Sequence, residues 1–86
     1  MKNLEKQLKA LANRRRLAIL KYLKKVRQAP VGEIAGEINL SVKATSKHLN
    51  ILAAADILER EQRSLSVFYR LSQDPSPTAK QVINIL

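Results

Sequence analysis

The side chains able to do chemistry are few and mostly of one kind. The chain has no cysteine and a single histidine, His48, which excludes a disulfide framework, a thiolate zinc site and a cysteine nucleophile together. A catalytic or metal-ligating role for His48 needs partners that the sequence does not offer, so packing is the expected role. No glycine-rich phosphate loop is present, and the only paired acids are Glu59 and Glu61, alternating along one short run. An enzyme is the weakest reading. The cations are different: 16 Lys and Arg face seven Asp and Glu, for a net charge of +9. Residues 1–30 hold ten of those cations and one acid, Glu5, whereas residues 31–86 hold six of each sign. Solubility accounts for scattered surface lysines, but not for one segment carrying the whole excess. Such a segment repels itself unless a polyanion is its partner, and nucleic acid is the leading candidate.

Arg14, Arg15 and Arg16 are the most informative run. They occupy the first turn of a helix, where each exposed cation opposes the helix dipole at a cost of about 0.3 to 1 kcal/mol. A phosphate would offset that cost for Arg14 and Arg15, while Arg16 is expected to pair with an intramolecular carboxylate such as Glu33 or Glu37. Lys43 and Lys47, one helical turn apart, suit guanine edges or phosphates. Ser46 divides evenly between a bond to its own helix backbone and a phosphate contact.

These residues need a small helical scaffold to hold them. Eighty-six residues make one domain, and 45% hydrophobic with only 3% aromatic residues favours helices packed on helices over a large sheet. Apolar runs such as Ile51 to Ala55 fall far short of the ~20 residues of a membrane span, so a cytoplasmic protein with no membrane partner is expected. Leu4, Leu8 and Leu11 recur at helical spacing, with Lys2, Lys6 and Lys9 opposite, in a first helix ending near Asn13. Asn13 caps a second helix to about Lys25, with Leu17, Leu20 and Leu23 inward. Pro30 breaks the pattern. A short third helix presents Ile34, Ala35 and Ile38 and stops at Asn39, a residue tolerant of the left-handed conformation. Ser41 caps a fourth helix from Val42 to about Ala55, which buries Thr45, Leu49 and Leu52 and turns Lys43, Ala44, Lys47 and Asn50 outward.

From Leu58 the period changes. Leu58–Gln62 and Ser66–Leu71 form a hairpin around Arg63-Ser64-Leu65, expected to be the only β structure. Tyr69 is assigned to the core beneath it, and Phe68, on the opposite side, needs cover from another helix or a second subunit. Ser76-Pro77 starts a last helix bearing Ala79, Val82, Ile83 and Leu86. That helix is about three turns long and marginal alone, so its stripe needs a partner, in a second copy or on the first helix of the same subunit.

Two helices joined through Asn39-Leu40-Ser41 and followed by a hairpin have the order of a winged helix-turn-helix, mainly α with a two-stranded wing. Ala10 to Leu20, Glu33-Ile34-Ala35, Ser46-Lys47-His48-Leu49, Ala55-Asp56-Ile57-Leu58 and Tyr69-Arg70-Leu71 together resemble the ArsR family of bacterial and archaeal repressors, over about Leu8 to Leu71. The resemblance implies a homodimeric, sequence-specific double-stranded DNA-binding regulator, a repressor, with the helix-turn-helix at about 31–55, the wing at about 58–71, and terminal helices 1–12 and 77–86 for dimerisation. The candidate DNA contacts are Ser41, Val42, Lys43, Ser46 and Lys47, with Arg14, Arg15, Arg60 and Arg63; the candidate dimer contacts are Leu4, Leu8, Val82, Ile83 and Leu86. The alternative is a winged-helix module for RNA binding or protein assembly, since a fold alone does not choose its partner.

Departures from the family pattern matter. Where metal-sensing members carry Cys-Val-Cys this chain reads Pro30-Val31-Gly32, and from Thr78 onward it has neither histidine nor acid, so no metal site is implied. No cofactor or identifiable effector is implied either. Ser64 replaces the usual hairpin glycine, which predicts a longer or looser turn. Val42 stands where a polar reading residue is common, so base preference does not carry over.

Overall fold

Four non-glycine residues with positive φ, Arg27 (φ 80°), Asn39 (φ 56°), Asp56 (φ 59°) and Ser64 (φ 56°), turn the chain at its corners. The computed structural model describes residues 2–86; Met1 lies outside the described residues, as does the side chain of Lys2, expected to face outward. The elements run α1 (Lys2–Leu11), α2 (Arg14–Val26), β1 (Gln28–Pro30), α3 (Val31–Glu37), α4 (Val42–Ala54), β2 (Leu58–Arg63), β3 (Ser66–Leu71) and α5 (Pro77–Ile85). At Asn39 and Asp56 the helices close alike. The Leu40 amide reaches back to the Ala35 carbonyl (3.0 Å) and the Ile57 amide to that of Leu52 (3.0 Å), satisfying carbonyls that a helix end leaves free. Each apolar residue after the turn packs on the core: Ile57 is fully buried and Leu40 partly so.

Helices α2, α3 and α4 enclose the core through Ile19, Leu20, Leu23, Ile34, Leu49 and Leu52, all at most 1% exposed. Burying a side chain of this size stabilises by about 1.5–3 kcal/mol, so this cluster dominates the fold. In α2, Ile19 takes the buried place expected of Leu17, which is only half-buried. In α1 the inward face is Gln7, Ala10 and Leu11, and Leu4 and Leu8 stay 41% and 50% exposed. Gln7 is buried because both ends of its amide are used: Nε2 donates to the Ala55 carbonyl and Oε1 accepts from Ser76 Oγ at 2.8 Å. Ser76 also caps α5, accepting from the Ala79 amide (3.1 Å). This places α5 on α1 and α2 of its own subunit, with Ala79 and Ile83 buried.

The sheet corrects the expectation of a hairpin alone. It has three antiparallel strands in the order β1-β3-β2, with Gln28, Ala29 and Pro30 opposite Arg70, Tyr69 and Phe68. A three-residue strand is too short to show alternation, and its proline is tolerated because β1 lies at the sheet edge. The turn is not loose either. Arg63 pairs with Ser66, leaving Ser64 and Leu65 as a two-residue connection in which Ser64 takes the positive φ that glycine usually supplies.

Two features of the helix-turn-helix are unfavourable in isolation. α3 is seven residues long, starts without a side-chain cap and contains Gly32 and Gly36, at both of which an added Cβ would meet nothing within 4 Å. Thr45 is fully buried, and its hydroxyl has no hydrogen-bond partner among the described residues. An unsatisfied buried hydroxyl costs about 1–3 kcal/mol. Thr45→Val is therefore expected to raise the unfolding free energy by about 1 kcal/mol; a loss of stability in chemical denaturation would show that the hydroxyl is bonded in solution.

Candidate nucleic-acid interface

The outward face of α4 is fixed by how its start is built. Ser41 Oγ accepts from the Ala44 amide (3.1 Å), and Thr45, Leu49 and Leu52 anchor the opposite side in the core. Val42, Lys43, Lys47 and Asn50 then face solvent, with Ala44 and Ser46 half-buried at the flanks. This face carries two cations and no acid, and it begins directly after the turn. The expected reading residues Ser41, Val42, Lys43, Ser46 and Lys47 are thus brought onto one helix end.

The three adjacent arginines have three different environments. Asn13 Oδ1 accepts from the amides of Arg15 (2.9 Å) and Arg16 (3.1 Å), which starts α2 and fixes how each side chain leaves it. Arg14 is exposed. Arg15 is half-buried and donates to the Ile38 carbonyl at 2.8 Å, at the end of α3. Arg16 does not pair with Glu33 or Glu37: it donates to the carbonyls of Ala10 (2.6 Å) and Lys9 (3.1 Å), and its third contact is His48 Nδ1 at 3.1 Å. The last turn of α1 presents free carbonyls and the negative end of a helix dipole, which suits a guanidinium as well as a carboxylate would. Because the guanidinium only donates, Nδ1 of His48 must accept and its proton resides on Nε2. Burial, then the charges of Arg16 and Arg15, hold the imidazole pKa below its ordinary 6.5.

On the wing, the outer sheet face is internally paired. Arg70 bridges Glu59 and Glu61 (both 3.1 Å), and Arg63 contacts Glu61 (3.0 Å) and Gln28 (2.9 Å). The Gln73 amide, aided by Arg70, holds the Glu59 carboxyl below its ordinary 4.5, and Arg63, then Arg70, do the same for Glu61. The Arg63 guanidinium also lies 4.6 Å from the Phe68 ring centroid, so the cover expected from a helix or second subunit comes from the wing itself. Arg60 lies opposite buried Tyr69 on the other sheet face and is exposed. Of the three wing arginines, Arg60 is the one outside these pairings.

Leu4 and Leu8 are exposed on α1, and on α5, which packs on α1, Ile85 is 83% exposed. Val82 and Leu86 are half-buried against the core. Ile83, expected at a dimer contact, is 8% exposed inside its own subunit. The apolar residue that α5 turns to the surface is instead Ile85, because the inward stripe of the helix uses Ile83. Lys24 on α2 donates to the carbonyls of Ile83 (3.0 Å) and Asn84 (3.3 Å) at the end of α5. Among the described residues no group of three or more His, Cys, Asp or Glu could hold a metal ion, and no helix is long and apolar enough to cross a membrane.

Comparison with known proteins places this geometry. A family model described as "Bacterial regulatory protein, arsR family" matches residues 13–60. The transcriptional activator HlyU of Vibrio cholerae serotype O1 is 38% identical over 79 residues, covering 92% of this chain and 69% of that protein. Its solved structure superposes with a TM-score of 0.82, covering 96% of this chain and 86% of that one at 35% identity. The nodulation protein NolR of Rhizobium meliloti is 37% identical over 67 residues, 78% of this chain and 54% of NolR. A homodimeric winged helix-turn-helix DNA-binding domain from Mycobacterium bovis has a TM-score of 0.83 at 24% identity, covering 98% and 74% of the two chains, a likeness of fold.

The Arg16–His48 contact has a pH signature. The unfolded chain binds a proton at His48 first as pH drops below 6.5, because the folded pKa is lower. Stability from the neutral imidazole is therefore complete above 6.5 and is lost as pH falls through the folded pKa. Glu59 and Glu61, depressed below 4.5, add a second loss at lower pH. His48→Gln is expected to remove the first loss and keep the second; an unchanged stability profile between pH 6.5 and 4.5 would show that the contact is absent in solution.

Proposed function

This chain belongs to the arsR family of bacterial regulatory proteins, and on that premise we propose that it is a homodimeric repressor that binds a specific double-stranded DNA site. It is a transcriptional regulator, and its work is binding. The observation that carries the proposal is the exposed, acid-free face of α4, held by a capped turn on a chain whose first 30 residues carry a charge of +9. In this reading the helix-turn-helix (31–55) enters the major groove through Ser41, Val42, Lys43, Ser46 and Lys47, the wing (58–71) reaches the duplex through Arg60 and Arg63, and Arg14 and Arg15 meet phosphates. Arg63 and Arg15 would exchange or share the partners they hold in the free protein. In this reading metal sensing plays no part, in keeping with the lack of a cluster of three or more His, Cys, Asp or Glu among the described residues, and the duplex is met in the cytoplasm. Repression is the expected sign, because a dimer seated on an operator obstructs transcription without any further contact.

Two copies joined through α1 and α5 would bury the exposed Leu4, Leu8 and Ile85, with Val82 and Leu86 at the margin. This commits the terminal helices to both tasks, since α5 already packs on its own α1. Leu4→Asp with Leu8→Asp, both at exposed positions, is expected to give a folded monomer in sedimentation where the parent chain is a dimer; a parent chain that sediments as a monomer at micromolar concentration would refute the assignment.

The DNA reading is tested by selecting a preferred duplex from random sequence and measuring affinity for it and for a scrambled duplex. Lys43→Ala and Lys47→Ala should each weaken binding with the fold intact, and a base contact should also lower discrimination by about 1–3 kcal/mol. Each lost phosphate contact reduces the slope of log K against log salt by about 0.9, so replacing Arg14 and Arg15 by Gln should flatten it by about two to four units in a dimer. Unchanged affinity in both lysine variants would remove α4 as the reader. Activation rather than repression from the selected site in a transcription assay would overturn the sign.

A further inference from the structure

The groove between α2 and α3 has a shape and a charge that duplex binding does not use up. It encloses about 650 Å³. Arg14, Ala18, Lys21, Tyr22 and Lys25 line it from positions i, i+4, i+7, i+8 and i+11 of α2, which share one helix face. Ala18 is the only small side chain among them, and the hollow exists because nothing longer stands there. Its floor is Ala18, Tyr22 and Ile38, and its rim adds Arg15 to the other three cations.

Two of the lining groups are held in place. Arg15 is bonded to the Ile38 carbonyl (2.8 Å), and the Tyr22 hydroxyl donates to the Glu33 carboxylate, a bond that pushes the phenol pKa up to about 12 and keeps it a donor. The charge, by contrast, is unbalanced. α2 contains no acidic residue, and the ion pairs among the described residues, Lys9–Glu5, Arg63–Glu61, Arg70–Glu59 and Arg70–Glu61, include none of the four rim cations. Against the four cations stand two carboxylates among the described residues, Glu37 on the groove wall and Glu33 behind the Tyr22 hydroxyl.

We propose that this groove binds a small organic anion, with a flat or apolar body lying on Ala18, Tyr22 and Ile38 and a carboxylate, sulfonate or phosphate group meeting Arg14, Lys21 and Lys25. Bound there, the anion opposes DNA binding. It takes up the charge of Arg14 and Arg15, and Arg15 holds the end of α3 from which the turn to the reading helix begins. This second step rests on the DNA-binding reading above, whereas occupancy of the groove does not. By linkage, the duplex weakens the anion by the same factor that the anion weakens the duplex.

Naphthalene-2-sulfonate is a suitable probe, with a dissociation constant expected at about millimolar for its size. An amide NMR titration of the full chain should show saturable shifts confined to residues 14–25 and 37–38. Ala18→Leu, which fills the hollow at an exposed helical position, and the double variant Lys21→Gln, Lys25→Gln should each weaken binding by about tenfold. Inorganic sulfate should not saturate in the same range, and 2-naphthol, uncharged at neutral pH, should not bind. Shifts centred on α1 or α4, wild-type affinity in Ala18→Leu, or equal binding of sulfate would overturn the site. At constant ionic strength, saturating probe should lower the affinity of the parent chain for its selected duplex several-fold and leave Ala18→Leu unaffected. Groove binding with no effect on the duplex would overturn the coupling, while a chain that binds the probe in the groove but no duplex would uphold the site and defeat the DNA reading instead.

Discussion

The guanidinium of Arg16 joins the three helices on which everything else depends. It leaves α2, closes the carbonyl end of α1 through Lys9 and Ala10, and holds His48 on α4. A lysine could not do this, because a point charge lacks the fixed fork of donors that reaches two carbonyls and a ring nitrogen together. The contact links the helix that carries exposed Leu4 and Leu8 to the helix that carries Lys43 and Lys47. Arg16 and Gln7, which donates to the Ala55 carbonyl at the C-terminal end of α4, thus tie α1 to that helix at two points. The bare sequence Arg14-Arg15-Arg16 gives no sign that its members divide into one exposed cation, one tether to α3 and one structural junction.

What was readable from the sequence followed local chemistry. Asn13, Ser41 and Ser76 cap the helices that their side chains announce, Asn39 takes the left-handed turn expected of it, and Thr45, Leu49 and Leu52 point inward as their spacing requires. What escaped depends on pairing across distance. β1 is three residues ending in proline, and only its partner Tyr69 makes it a strand. The inward role of Ile83 and the outward one of Ile85 depend on the seat of α5 against α1, which Gln7 and Ser76 set from opposite ends of the chain. At the candidate interface, the α4 face could be listed residue by residue from periodicity, whereas the occupied state of Arg15 and Arg63 could not. Their partners, the Ile38 carbonyl, Glu61 and Phe68, are too far away or too unspecific in type to be chosen from spacing.

The wing shows how a basic protein avoids being uniformly sticky. Its outer face holds both signs in close contact, so Arg63 and Arg70 are neutralised at home and Phe68 is roofed by a cation. Surface pairs of this kind contribute little to stability. Their effect is on distribution: the unpaired cations among the described residues lie mainly on α1, α2, the start of α4 and, on the wing, at Arg60, with Lys9 and Glu5 the one ion pair on those helices.

The two glycines of α3 give the helix-turn-helix an uneven stiffness. Each costs a helix interior about 0.5–1 kcal/mol relative to alanine, and neither is required by packing, since a Cβ at Gly32 or Gly36 would meet open space. With seven residues and no side-chain cap, α3 is the compliant member of the pair and α4 the rigid one. Compliance in α3 lets the chain ahead of α4 adjust while the α4 backbone, capped by Ser41 and anchored by Thr45, Leu49 and Leu52, stays intact. The same softness favours faster amide exchange from α3 than from α4, held in check by Ile34, which is fully buried in the core shared with Ile19, Leu20 and Leu49.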